Sequence, residues 1–368
     1  MIYVHVPFCK SFCVYCGFYS ETLSRCGGQK AATSWAEAVC KEALSRREEI
    51  LSTNAVDTLY IGGGTPSVLP LCVLEKVVNL LKSLCGKTPE DTFEEFTVEV
   101  NPDDIVKGGG AYLSGLRRLG VGRISMGVQS FDDGILRWMG RRHSSDDAVR
   151  AVKLIRDEGF ENLSIDLISG ISGLSDSMWE ETVSRTLSLS PEHISAYQLS
   201  IEEESALDRM VSEGKYVEAG EDQCQRQYDI LCRMLSSEGY HHYEISNFAK
   251  PGHEAVHNSA YWRRVPYVGL GPGAHSLCGT DVRRWNSESV PEYTSSSEHL
   301  SGEDIRVEKI MLPLRTSSGL PREELYGLTD PEKVDALLSE GALVAVDGRI
   351  RIPEDHFFTS DNIIRDLL

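Results

Sequence analysis

The stretch from Cys9 to Cys16 reads CKSFCVYC and places three cysteines at spacings of four and three residues. It follows the apolar run Ile2–Val6, which predicts a buried strand. A loop this short can direct three thiolates to one point, and thiolates are ligands of zinc and of iron–sulfur clusters. In a chain of 368 residues with ten cysteines, chance gives this spacing in only about 1% of sequences. Cys9, Cys13 and Cys16 therefore predict a metal centre.

The fourth ligand distinguishes two kinds of metal centre. A structural zinc site takes four protein ligands, and His5, on the strand before the loop, is a nearby candidate. His5 fits equally well as a packed residue of that strand. Three cysteines with no evident fourth ligand favour a [4Fe-4S] cluster with one open iron. A structural zinc site stays open as an alternative.

The composition excludes several classes of protein. The chain has a net charge of −19 and a pI near 5.0, which argues against a nucleic-acid-binding surface, because such a surface needs a basic patch. No apolar run reaches the length of a membrane span, and the N-terminus shows no signal-peptide pattern. Ten cysteines in such a chain are typical of a reducing compartment. We therefore predict a cytoplasmic protein that binds no nucleic acid.

Strand patterns alternate with helical patterns through the first two thirds of the chain, and the predicted helices include residues 34–51 and 111–119. The six predicted strands are Ile2–Val6, Val56–Ile61, Glu95–Val100, Arg123–Val128, Asn162–Ile168 and His193–Leu199. Such alternation predicts an α/β fold in which helices cover a parallel sheet. Six units are too few for a closed barrel of eight, so we predict a partial (β/α)6 barrel over residues 1–246.

Polar or glycine-rich residues follow strand after strand in this pattern. They are the cysteine loop, Gly62-Gly63-Gly64, Glu99, Gln129, Asp166 and Ser200. Parallel barrels build their active sites at the carboxyl ends of the strands, so we expect these residues to share one rim. The glycines let the backbone approach a ligand closely. Charged groups at such positions, including Arg141, are costly unless they are paired or bound to a ligand.

Two further regions follow the predicted barrel. Residues 247–290 are rich in glycine and aromatic residues, show little periodicity and are too long for a simple connection. Residues 291–368 predict a small α+β domain with two helices and a hairpin, in which Asp347-Gly348 joins Leu343–Val346 to Arg349–Ile352. This order is winged-helix-like, but the acidity of the chain argues against DNA binding.

The cysteine loop resembles that of the radical S-adenosylmethionine (SAM) superfamily. Five stretches occur in the order found there, namely YVHVPFC (3–9), GGGTP (62–66), EVNP (99–102), GVQSF (127–131) and SIDLI (164–168). Over nearly the whole chain they look like the family of oxygen-independent coproporphyrinogen III oxidase and its relatives, the HemW-type heme chaperones. The resemblance implies that Cys9, Cys13 and Cys16 hold three irons of a [4Fe-4S] cluster and that SAM chelates the fourth.

The same resemblance implies a set of residues that contact SAM. They are Tyr3, Tyr15, Gly17, Gly63, Gly64, Thr65, Glu99, Gln129, Arg141 and Asp166. Within this set, the glycine-rich segment matches the part of the superfamily that binds the amino group of SAM.

Two features favour the chaperone branch of the family. The oxidase has a further cysteine two residues after the third cluster cysteine, where this chain has Phe18. The stretch HNSAYW (257–262) resembles the HNxxYW signature of the chaperones. A histidine can ligate heme iron while aromatic rings pack on the macrocycle. The candidate heme contacts are His257, Asn258, Tyr261 and Trp262, with His253 and His275 as rival axial ligands.

The leading hypothesis is a heme-binding chaperone with a radical SAM core, which uses a [4Fe-4S] cluster, SAM and heme. It would pass heme to an acceptor protein that the sequence does not identify, and a transiently docked membrane protein is one candidate class. The alternative is the oxidase itself, which converts coproporphyrinogen III to protoporphyrinogen IX in porphyrin biosynthesis. Phe18 argues against oxidase activity.

Overall fold

The computed structural model describes residues 1–53, 55–290 and 292–368, so Pro291, the first residue of the predicted C-terminal domain, lies outside the described residues. The main element is an open nine-stranded sheet. Its strands in chain order are β1 (Ile2–Val6), β2 (Thr58–Gly63), β3 (Glu95–Val100), β4 (Arg123–Gln129), β5 (Asn162–Ser169), β6 (His193–Gln198), β7 (His241–Glu244), β8 (Asn247–Ala249) and β9 (Val268–Leu270). Across the sheet they are ordered β9-β1-β2-β3-β4-β5-β6-β8-β7.

Strands β1 to β6 run parallel to one another, with a boundary difference of at most two residues from the prediction. The partial (β/α)6 barrel is therefore confirmed. Three short strands extend it, because β9 adds to β1 in parallel while β8 and β7 add antiparallel beyond β6. These strands have only three or four residues each, too few to produce a recognisable alternation in the sequence.

Helices cover the outer face of the sheet. They are Gln29–Ser45, Arg47–Ser52, Leu71–Leu84, Pro102–Arg118, Asp133–Trp138, Ser145–Asp157, Asp176–Ser188, Ala206–Ser212 and Glu221–Ser237. One side of each barrel strand is apolar and belongs to the main hydrophobic core, as Leu59, Phe96 and Ile124 show. Successive strand residues point to opposite faces, so the intervening positions face the interior of the barrel.

Two predicted helices have different boundaries. The predicted helix 34–51 is broken at Arg46, whose guanidinium donates hydrogen bonds to the carbonyl of Gly269 at 2.7 Å and to Ser276 at 3.0 Å. The predicted helix 111–119 begins earlier, at Pro102, and is interrupted at Gly109, which has φ 59°. The break at Arg46 involves contacts that are distant in sequence, so the local pattern does not predict it. The earlier start at Pro102 was obscured by three consecutive glycines in the helix.

The chain returns to the barrel before it enters a separate C-terminal core. The helix Val256–Trp262 carries the HNxxYW-like stretch, and a three-stranded meander follows at His275–Cys278, Val282–Asn286 and Ser295–His299. The second core contains Ile310, Leu325, Phe357 and Ile364.

This C-terminal part is a small α+β domain. Its helices are Gly302–Leu314, Arg322–Leu328, Pro331–Glu340 and Ser360–Leu367, and its strands are Leu320–Pro321, Val344–Val346 and Arg349–Arg351. Asp347 and Gly348 both have positive φ, 48° and 76°, as a tight hairpin turn requires. The predicted hairpin is confirmed, while two of the four helices and the strand before Arg322 were missed. Among the described residues, no helix combines the length and apolarity needed to cross a membrane.

Candidate functional site

A cavity of about 1000 Å³ opens at the carboxyl ends of the barrel strands. Its wall includes all three cysteines of the Cys9–Cys16 loop and the polar residues that end β2 to β6. The six groups that we expected on one rim, from the cysteine loop to Ser200, all contribute residues to this wall. The parallel topology brings them together although they are spread over almost 200 positions of the sequence.

The cysteine loop is held against the barrel by backbone hydrogen bonds. Val14 donates to the carbonyl of Met139 at 3.1 Å and accepts from the amide of Leu207 at 2.8 Å. On the outer side, Lys10 forms an ion pair with Asp104, whose side chain is 1% exposed and also pairs with Arg142. The position of the loop is therefore fixed from both sides.

The cysteines are half-buried and free, and two of them contact polar side chains from other loops of the cavity wall. Cys9 Sγ lies 3.4 Å from Thr65 Oγ1, and Arg141 donates a hydrogen bond to Cys13 Sγ at 3.5 Å. Burial raises the pKa of the Cys9 thiol and raises the pKa of Cys16 to about 11. A metal centre would have to displace these protons, as thiolate ligation always requires.

His5 is not available as a fourth ligand. Its Nδ1 is hydrogen-bonded to the Tyr3 hydroxyl at 3.0 Å, and its Nε2 to the carbonyl of Tyr19 at 2.9 Å. The ring also occupies the space beside Gly63, where a Cβ would lie 2.5 Å from it, and Gly63 has φ 105°. His5 therefore packs the end of the glycine-rich segment and does not face a metal.

Two half-buried carboxylates, Glu99 and Asp166, lie deeper in the wall. Glu99 accepts hydrogen bonds from the Tyr60 hydroxyl at 2.7 Å and from the amide of Gly63 at 3.0 Å. Burial raises the pKa of Glu99 to about 7, and the nearby charge of Asp166 raises it as well. Burial likewise raises the pKa of Asp166. Each carboxylate would gain from a cationic ligand, which would offset its desolvation.

Serine hydroxyls surround Asp166 on the inner face of the barrel. Ser125 donates at 3.2 Å to either carboxylate oxygen, and Ser164 donates at 3.5 Å. These hydrogen bonds oppose the rise in the pKa of Asp166, as does Ser195. Asp166 is therefore held in a fixed place at the middle of the cavity wall.

Arg141 and Gln129 meet at the end of β4. Arg141 donates to the side-chain oxygen of Asn101 and to the carbonyl of Gly127. Gln129 follows a register irregularity and has φ 71°, a strained value for a residue with a side chain. Its Oε1 is buried without a hydrogen-bond partner among the described residues. A ligand that donates a hydrogen bond to Gln129 Oε1 would remove the free-energy cost of leaving this oxygen unpaired.

Nine of the ten residues predicted to contact SAM line the cavity; they are Tyr15, Gly17, Gly63, Gly64, Thr65, Glu99, Gln129, Arg141 and Asp166. Tyr3 does not. Its ring lies next to Tyr60 inside the barrel, and its hydroxyl is hydrogen-bonded to His5. Tyr3 is thus placed behind the wall, where it supports the residues that face the cavity.

The HNxxYW-like stretch lies beneath the barrel, and only Asn258 of its four candidate residues lines the cavity. His257 is 1% exposed, with Nδ1 hydrogen-bonded to Thr58 at 2.8 Å and Nε2 to Tyr261 at 3.0 Å. Burial lowers the pKa of His257 to about 3. Since both ring nitrogens are engaged, this structure does not present His257 to heme iron. Trp262 is half-buried outside the cavity wall.

The two rival histidines also lie outside this cavity. His253 lines a second cavity of about 550 Å³ at the amino ends of β3 and β4. His275 begins the meander strand His275–Cys278 and is exposed. Neither is positioned to ligate an iron held in the first cavity, at the carboxyl ends of the strands, which we call the upper cavity.

Several wall residues were missed by the sequence analysis. They are Tyr60, Asn101, Arg123, Ser125, Ser195 and Tyr197. Most occupy alternate positions of barrel strands, as in Arg123-x-Ser125-x-Gly127-x-Gln129 and His193-x-Ser195-x-Tyr197. Polar residues at every second position of a parallel strand mark a polar barrel interior. This alternation is visible in the sequence, but a prediction based on the strand ends alone does not include these residues.

Comparisons with known proteins agree with this geometry. The family model of the radical SAM superfamily matches residues 3–186. The chain is 32% identical over 356 residues to the heme chaperone HemW of Synechocystis sp., covering 91% of this chain and 82% of that protein. It is also 31% identical over 377 residues to the heme chaperone HemW of Mycobacterium tuberculosis, covering 100% of this chain and 94% of that protein.

Among solved structures, the chain is similar to coproporphyrinogen III oxidase (HemN) from Escherichia coli, described as a radical SAM enzyme. The TM-score is 0.80 at 20% identity, with 100% of this chain and 89% of that chain covered. At this identity the likeness concerns the fold, including the arrangement of the C-terminal part.

Proposed function

Because the chain belongs to the radical SAM superfamily and, within it, to the family of the heme chaperone HemW, we propose that it binds heme in the cytoplasm and delivers it to an acceptor protein. The observation that carries this proposal is the shared identity with named heme chaperones over nearly the whole length of the chain. The cavity at the barrel rim supplies a place of sufficient size for such a ligand.

The cysteine loop fits a [4Fe-4S] cluster better than a single metal ion. Three thiols on one loop, with His5 already engaged, fit a cluster that spreads its ligands more widely and leaves one iron open. This argues against the zinc alternative. Cys9, Cys13 and Cys16 would hold the cluster, and Arg141 would stabilise the thiolate of Cys13.

The remaining rim residues fit SAM. Glu99 would accept hydrogen bonds from the ammonium group of the ligand, and Gly63 allows close backbone approach. The buried Oε1 of Gln129 would gain a donor. When bound, the cluster and SAM would together supply the one-electron chemistry that characterises the superfamily. In a chaperone this chemistry would be ancillary to heme delivery.

We place heme in the cavity itself, above the HNxxYW-like stretch. Aromatic side chains stand exposed around the mouth, with Phe12 at 51%, Phe18 at 72% and Tyr197 at 44% exposure. Exposed aromatic rings beside a polar cavity suit the flat apolar faces of a porphyrin. The acceptor would approach this mouth, and a membrane protein that docks transiently is one class of acceptor.

The decisive experiment compares heme binding with porphyrin turnover under anaerobic conditions. The protein is reconstituted with iron and sulfide and titrated with heme. A parallel sample receives SAM, a strong reductant and coproporphyrinogen III. We expect heme binding and no protoporphyrinogen. Many turnovers of protoporphyrinogen would establish the oxidase alternative, and a cluster-loaded protein that binds no heme would overturn the chaperone proposal.

A further inference from the structure

Arg123 is a charged residue at the floor of the cavity. It is the first residue of β4, and its side chain faces the barrel interior below Ser125 and Gly127. Only 3% of Arg123 is exposed, although the residue lines both the upper and the lower cavity. The guanidinium thus lies between the two cavities, in the middle of the barrel.

The Arg123 side chain forms no hydrogen bond and no ion pair with any residue in the described ranges, and its Nε is buried without a partner. The guanidinium of Arg141, which is half-buried in the same wall, donates to Asn101 and Gly127, although its Nε also has no partner among the described residues. Arg142 is paired with Asp103 at 2.5 Å. Burial of a charge without a hydrogen-bonded partner is unfavourable, so an anionic ligand beside Arg123 would offset the cost of its desolvation.

The nearby carboxylates are occupied by other donors. Glu99 is held by Tyr60 and Gly63, and Asp166 by serine hydroxyls. Glu95, at the start of β3, accepts the backbone amides of Val256 and His257 at 2.9 Å each. None of them lies within ion-pair distance of Arg123, although the charge of Arg123 is near enough to Asp166 to lower the pKa of that carboxyl.

Asn258 adds a second donor to the same floor. Its side chain lines the cavity and makes no hydrogen bond within the described part of the chain. The position of Asn258 is fixed by its neighbour His257, which is hydrogen-bonded on both sides. The HNxxYW-like stretch therefore contributes an amide to the cavity, while its histidine serves as the anchor.

We propose that Arg123 and Asn258 form a carboxylate-binding subsite at the cavity floor and that it receives a propionate of heme. This inference rests on the proposed function. A guanidinium and an amide are the groups that recognise a carboxylate. Arg123 and Gln129 are six residues apart on β4, roughly 20 Å at the rise of a strand. A ligand that enters from the rim and carries an acid at its inner end would bring that acid to Arg123, and the propionates of heme are acids at one edge of a flat molecule.

SAM also has a carboxylate, so the test separates the two sources. Wild-type protein with its cluster is titrated with heme, with the dimethyl ester of heme, and separately with SAM. Arg123→Met, Arg123→Lys and Asn258→Ala are titrated in the same way. Arg226→Met, which removes a guanidinium from an exposed pair on the outer surface, is the matched control.

We expect Arg123→Met to bind heme at least about tenfold more weakly, with partial recovery in Arg123→Lys and a smaller loss in Asn258→Ala. Wild-type protein should bind the ester as weakly as Arg123→Met binds heme, and SAM affinity should not change.

Equal affinity of wild-type protein for heme and its ester would overturn the subsite even if the variants fail to fold. A loss confined to SAM would assign the carboxylate to SAM and also overturn it. If wild-type protein bound no heme at all, the proposed function itself would be refuted. Failure of the proposed function is therefore distinguishable from failure of the carboxylate subsite.

Discussion

The hydroxyl of Tyr60 donates a hydrogen bond of 2.7 Å to Glu99, joining two neighbouring strands at a point where both side chains are half-buried. This contact lowers the pKa of Glu99 against the larger opposing effect of burial, and the resulting pKa is about 7. The ionisation of Glu99 therefore changes within the physiological pH range, which makes it observable.

The affinity for SAM should depend on pH through Glu99. Only the ionised carboxylate attracts the ammonium group, so affinity should fall by up to about tenfold between pH 8 and pH 6. Glu99→Gln should bind SAM weakly and without this pH dependence. Tyr60→Phe should raise the pKa of Glu99 further, so the midpoint of the pH dependence of SAM affinity should move to higher pH. Titration of the cluster-loaded protein measures this, and Glu180→Gln on the outer surface is the control.

Stability gives an independent check of the same pKa. The folded pKa of Glu99 is about 7 and its ordinary value is 4.5, so the protonated carboxyl favours the folded state. Its stabilising effect is complete below the ordinary value and is lost as the pH rises through about 7. Glu99→Gln should therefore raise the melting temperature of the cluster-free protein more at pH 8 than at pH 5. An equal effect at both pH values would contradict the raised pKa.

Cys13→Ala should abolish the broad visible absorbance of a reconstituted cluster, because three thiolates are the minimum that holds a [4Fe-4S] centre with one open iron. Iron and acid-labile sulfide analysis should fall in parallel. Cys72→Ala provides the control, since Cys72 is exposed and distant in sequence from the loop. A full cluster signal from Cys13→Ala would refute the ligand assignment, and zinc without sulfide in the wild-type protein would restore the zinc alternative.

The sequence was sufficient for those parts of the site that depend on local pattern. The six parallel strands and the cysteine loop follow from apolar runs and spacing, and strand order then brings Glu99 and Asp166 to one rim. The place of Tyr3 behind the cavity wall could not be read from the sequence, because strand membership alone does not say how far a side chain lies from the rim. The burial of His257 could not be read, since its partner Thr58 is 199 residues away.

His257→Ala should act mainly on stability. It removes a buried side chain and leaves the hydroxyls of Thr58 and Tyr261 without their shared partner, so a loss of about 2–4 kcal/mol is expected. Protein that remains folded should show the same heme absorption band as wild type. His275→Ala, at an exposed histidine, should change neither quantity. A displaced heme band with an unchanged melting temperature would show instead that His257 ligates the iron.

Phe18 should contribute to heme binding through its exposed ring at the mouth of the cavity. Heme would bury much of the apolar surface that Phe18, at 72% exposure, now presents to water, and burial of an aromatic side chain contributes about 1.5–3 kcal/mol. Phe18→Ala should therefore weaken heme binding by about tenfold or more while cluster content and SAM affinity stay the same. Val217→Ala is the matched control, because Val217 is equally exposed, at 75%, but does not line the cavity. Comparable losses of heme affinity in both variants would mean that heme binds to exposed apolar surface in general, whereas no loss in Phe18→Ala would remove the cavity mouth from the heme site.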